Sequence, residues 1–89
     1  MSKDLGRMNW EEAKKACADL GDGWRLPTMD ELKKMYELKD KIGGFEKGFY
    51  WSSMESSKSS ASGLFFRNDN TPNNLKINKS HVRAVRDLK

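Results

Sequence analysis

The 89 residues contain one cysteine and one histidine, and each scarcity closes off a chemistry. Cys17 has no partner for an intramolecular disulfide and no Cys or His at metal-ligand spacing, so it reads as a reduced, buried small apolar residue. With His81 the sole imidazole and Cys17 on the apolar side of a helical pattern, no nucleophilic triad can be assembled. A glycine-rich phosphate loop of the dinucleotide or P-loop type is also missing. The carboxylates Glu11, Glu12, Asp30, Glu31 and Glu37 fall on solvent faces or at helix N-termini, where they support the macrodipole. The expectation is a protein that is not an enzyme and has no cofactor and no metal. No apolar run approaches the roughly 18 residues that span a bilayer, so no membrane insertion is expected. The opening Met1-Ser2-Lys3-Asp4 has no apolar segment of the secretory kind. As given, the chain is therefore expected to be cytosolic, or a domain cut from a longer surface or virion product.

What is present suits one small domain, with residues 1–8 as a lead-in and residues 9–89 as the folded unit. Three Trp, four Phe and two Tyr supply bulky members for a core that a chain this short must fill efficiently. The net charge of +4 is unevenly spread. Residues 1–42 hold nine basic and nine acidic side chains, residues 43–89 eight basic and four acidic, so the whole excess lies in the second half. Such asymmetry marks a face for anionic partners or a surface adjusted for solubility.

The most specific stretch is Gly21-Asp22-Gly23-Trp24-Arg25-Leu26-Pro27-Thr28. The glycines end one helix, Pro27 biases Leu26 towards extended geometry, and Thr28 with Glu31 forms a capping box for the next. Before it, Asn9 and Glu12 have the same spacing, and Trp10, Ala13, Cys17 and Leu20 make one apolar helical face. After it, a second helix runs from about Met29 to Lys41 with Leu32, Met35, Tyr36 and Ile42 inward, ended by Gly43-Gly44. The period then changes. Phe49–Met54, Leu64–Arg67 and Leu75–Asn78 suit strands, Ser56–Ser62 a polar loop and Asn68–Asn74 a turn. His81–Arg86 favours strand, although Val82 and Val85 stand at helical spacing. Two helices followed by short strands indicate an α+β fold with a small antiparallel sheet. Trp10, Trp24, Leu26 and Trp51 are expected to be largely buried at the join.

Trp10-Glu11-Glu12-Ala13, Cys17, Leu20, Gly23-Trp24-Arg25-Leu26-Pro27-Thr28, Glu31-Leu32, Tyr50-Trp51-Ser52-Ser53 and Val82-Arg83-Ala84-Val85-Arg86 together resemble the Lcl C-terminal-like domains. The likeness covers about residues 8–87. Those domains end a bacterial collagen-like adhesin and are similar to paralogous domains of Bacteroidetes-type surface proteins. The resemblance implies a C-type-lectin-like fold, shared with formylglycine-generating enzymes and with hypervariable ligand-binding proteins of phages and bacteria. Three departures stand out. Ala84 occupies the place of a family cysteine that would partner Cys17. The catalytic cysteines of the formylglycine enzymes are absent. Residues 1–8 are too short and polar for the family's usual first strand, so an open sheet edge is expected.

The candidate binding residues lie in the second half. Arg67, Lys76, Lys79 and His81 suit sulfate, phosphate or carboxylate groups, and Asn68, Asp69, Asn70, Asn73 and Asn74 gather around Thr71-Pro72. An oxygen-rich turn is either an ordinary polar turn or a calcium loop, and only one carboxylate is available. Arg83 and Arg86 read as parts of the closing strand. The function expected is a non-enzymatic module that binds a protein partner or an anionic glycan. Its rivals are a structural protein that forms a homo-oligomer or completes its sheet with a partner strand, and a basic nucleic-acid binder. The last is disfavoured because exposed aromatics do not interleave with the charges after Phe66.

Overall fold

The computed structural model describes residues 4–21, 23–45, 48–67 and 70–86. Among them, the chain runs β1 (Arg7–Met8), α1 (Trp10–Ala18), β2 (Trp24–Arg25), α2 (Met29–Glu37) and α3 (Lys39–Ile42). It continues through β3 (Phe49–Glu55), β4 (Ser60–Phe65), β5 (Asn73–Leu75), β6 (Ser80–His81) and β7 (Val85–Arg86). The α+β class follows directly. The sheet is mixed rather than purely antiparallel, with order β1-β6-β3-β4-β5 and a parallel step between β3 and β6; β2 and β7 form a separate two-stranded ribbon.

Both helices start where the sequence says. At α1, the Asn9 side chain accepts from Glu12 N–H while the Glu12 carboxylate accepts from Asn9 N–H, and Thr28 and Glu31 repeat the exchange at α2. Gly21 and Gly23 have φ of 78° and 83°, the left-handed geometry that turns the chain between them. The helix ends differ from expectation. Because α1 stops at Ala18, Leu20 lies beyond its apolar stripe and is 44% exposed. Leu38 (φ −101°, ψ 10°) breaks the second helix, which resets the period and leaves Ile42 exposed.

The sheet separates two apolar clusters. Phe49, Trp51 and Ala61 meet Trp10, Ala13 and Cys17 of α1, whereas Tyr50, Leu64 and Phe66 meet Leu32 and Met35 of α2. This is the period-two alternation of strands buried on both faces. Two indole N–H groups fasten distant segments, Trp10 Nε1 donating to Ser52 O and Trp51 Nε1 to Met8 O, each at 2.9 Å. Trp10, Leu26 and Trp51 are buried as expected, but Trp24 is only half-buried, with the Arg86 guanidinium 5.6 Å from its ring centroid. Cys17 is fully buried, and burial pushes its thiol up to about 11.

The expected open edge is corrected. Arg7 and Met8 pair with His81 and Ser80, and Leu5 N–H donates to Val82 O at 2.8 Å. Two residues suffice as a strand because Met8 also packs on the core and the Asp4 carboxylate accepts from Gly6 N–H at 2.8 Å. The single closing strand expected over His81–Arg86 is likewise two pieces. His81 belongs to the large sheet and Val85 to the ribbon, with Val82, Arg83 and Ala84 buried between them.

Candidate functional site

A cleft of about 580 Å³ opens at the end of the large sheet where β3 begins and β4 ends. Phe49 and Phe65, directly paired across β3 and β4, supply its aromatic side with ring centroids 5.4 Å apart. Arg7, Lys79 and His81 bring basic groups, and Asn74 and Asn78 bring amides. The Phe49 ring lies across Gly63, where any Cβ would stand 2.3 Å from both the ring and the Tyr50 carbonyl oxygen. Gly48 has the same function for His81, whose Cδ2 and Nε2 would be 2.8 and 3.0 Å from a Cβ there.

The polar side of the cleft is braced. Asn74 Nδ2 donates to Ser80 Oγ at 3.3 Å, and its Oδ1 accepts from Asn78 Nδ2 at 2.8 Å and from Leu75 N–H at 3.0 Å. The His81 ring stacks on Tyr50 with centroids 5.0 Å apart. Asp4 Oδ2 accepts from Tyr50 OH at 3.0 Å and lies 3.2 Å from His81 Nδ1. An ionised carboxylate only accepts, so a ring facing one turns an Nδ1–H towards it, which places Nε2 beside Gly48.

The structure brings together only part of the expected set. Asn74, Lys79 and His81 share the cleft. Asn73 is in β5, accepting from Ser62 Oγ at 2.8 Å, and Asn70 offers its carbonyl to Phe65 N–H at 2.9 Å; both are exposed, as is Arg67. Asn68 and Asp69 lie outside the described residues, and with them the carboxylate of the calcium alternative. Among the described residues, no group of three or more His, Cys, Asp and Glu is placed to hold a metal.

Lys76 departs most from expectation. Its side chain is 11% exposed, its ammonium pairs with Glu55 and donates to Lys58 O at 3.0 Å, and it lies 4.5 Å from the Trp10 ring centroid. Lys76 thereby holds the Glu55 carboxyl below the usual carboxylate range. Arg83 is buried as a structural residue, with its guanidinium 4.1 Å from the Phe45 centroid and donating to Gly43 O at 3.1 Å. Arg7, Asn78, Phe49 and Phe65 were not among the expected site residues. Charge pointed away from Arg7, which lies in the neutral first half, and only its pairing with His81 across the whole chain places it at the cleft.

No curated protein matches the chain. The family model of the Lcl C-terminal domain matches residues 2–86, nearly the full length, and the chain belongs to that family.

Proposed function

We propose that this domain is a non-enzymatic binding module of the C-type-lectin-like kind, and that its cleft takes an anionic glycan. The observation that carries the reading is the convergence of Arg7 and Lys79 with the amides of Asn74 and Asn78 beside Phe65. Cations answer a sulfate or carboxylate, amides answer sugar hydroxyls, and an exposed ring answers the apolar face of a pyranose. Completion of the sheet by a partner strand at β5 is less well supported. Ladder alternation turns Leu75 outward from β4, yet its N–H donates to Asn74 Oδ1 and its carbonyl accepts from Asn78 N–H, so this edge is already occupied.

The test is binding to an immobilised sulfated dextran with uncharged dextran as control. Arg7→Glu and Lys79→Glu should each weaken capture about tenfold or more at fixed salt, and the uncharged polymer should not bind. Unchanged capture by both variants would overturn the site. A protein partner is the second reading, favoured by Ile77 and Leu75, which expose apolar side chains on the segment leading into the cleft. Ile77→Ser would then weaken capture of a protein while leaving dextran sulfate binding unchanged.

A further inference from the structure

We propose that anion capture in this cleft is proton-linked through His81, with Asp4 as its countercharge. The inference rests on the cleft's being the binding site and adds how its occupancy is regulated. Among the described residues, the charged or titratable groups that share the cleft or touch the ring are Arg7 from β1, Lys79 just before β6, Tyr50 from β3 and Asp4 from the lead-in. Imidazole is the side chain among them whose ordinary titration falls between pH 5 and 8.

With His81 neutral, Arg7 and Lys79 are opposed by the Asp4 carboxylate, and the ring presents a lone pair at Nε2, which repels an anion. Taking up a proton makes two changes together. The Asp4–His81 pair becomes neutral overall, so the cluster rises from one net positive charge to two, and Nε2 becomes a donor. Asp4 and the stacked Tyr50 hold the ring in place, so the switch requires no rearrangement. Anion binding therefore takes up a proton at His81, and lower pH tightens it.

The test uses the whole chain and a short sulfated dextran oligosaccharide, whose sulfate esters keep their charge across the range, at fixed ionic strength. Wild type should bind about three- to tenfold more tightly at pH 5.5 than at pH 8, the size expected of one added charge at a screened surface site. His81→Gln should lose that dependence while retaining its circular dichroism. Asp4→Asn, which removes the countercharge permanently, should bind at pH 8 about as tightly as wild type does at pH 5.5. The proposal is overturned if His81→Gln keeps the wild-type pH profile or if Asp4→Asn binds no better than wild type at pH 8. Should His81→Gln fail to fold, the wild-type pH profile and the Asp4→Asn comparison decide together, a flat profile overturning the proton link. A flat wild-type profile with binding still lost in Arg7→Glu and Lys79→Glu would sink the proton link and spare the site. No binding at any pH would sink both.

Discussion

Replacing Gly63 with alanine adds one methyl group at the point where the two-sided packing of the sheet is tightest. Gly63 pairs with Trp51 across β3 and β4, and its φ is not in the left-handed region, so alanine meets no backbone strain of its own. The obstacle is contact. The new Cβ would lie 2.3 Å from Phe49 Cζ and 2.3 Å from the Tyr50 carbonyl oxygen. The ring can swing only by leaving its edge-to-face contacts with Trp51 and Phe65, at 5.3 and 5.4 Å, and the carbonyl cannot swing without parting the strands. Overpacking of this kind costs about 1–3 kcal/mol, and loss of strand register adds to it, so about 2–4 kcal/mol is expected. A domain this size has only roughly 5–10 kcal/mol in hand. At about 4–8 °C per kcal/mol, the melting temperature should fall by about 10–25 °C, read by circular dichroism or calorimetry. Adding Phe49→Ala should recover little, because it relieves the ring but not the carbonyl. A Gly63→Ala protein melting within 3 °C of wild type would refute the reasoning.

Lys76→Glu should lower stability by about 1–2 kcal/mol in urea titrations, since it sets a carboxylate against Glu55 and strips the alkyl cover from Trp10, whereas Lys79→Glu should change it by less than about 0.5 kcal/mol; equal effects would contradict the placement of Lys76. Arg25 donates to both Glu31 oxygens at 2.7 and 3.0 Å and holds that carboxyl at about 2 rather than the usual 4.5. A depressed carboxyl stabilises fully above its unfolded value and ceases to do so as pH falls through the folded one. Arg25→Gln should therefore cost about 1 kcal/mol at pH 7, discounted for the exposure of both partners, and the gap from wild type should narrow between pH 5 and 2.

Local signals were legible because they act over a few residues. Both capping boxes, the glycine turn, the aromatic strand and the buried face of Trp10, Ala13 and Cys17 required no knowledge of the rest of the chain. What could not be read was set by pairing across long separations. Nothing in Asp4-Leu5-Gly6-Arg7-Met8 has strand periodicity, and it is ordered by Ser80, His81 and Val82, more than 70 residues away. Lys76 follows the alternation of a half-exposed strand, and only the arrival of Trp10 and Glu55 turns it from a free charge into a packed one. The same argument separates Asn74, locked in three hydrogen bonds, from Asn73 beside it in β5.

Scaffold and cleft are carried by different residues. The motif from Trp24 to Thr28 builds the ribbon with β7 and the start of α2, and Arg25 joins the two through Glu31. None of those residues lines the cleft. The cleft is instead assembled from residues without a motif: a lead-in arginine, strand-end aromatics, and the amides and lysine that precede β6. Of these, the Arg7, Asn78 and Lys79 side chains are exposed, while Phe49 and Gly48 are fixed by packing. Exposed side chains change at little cost in folding, about 0.5 kcal/mol each, whereas the motif does not. The Arg7, Asn78 and Lys79 positions can therefore take other side chains on this backbone without disturbing the ribbon and its caps, provided Gly63 remains under the Phe49 ring.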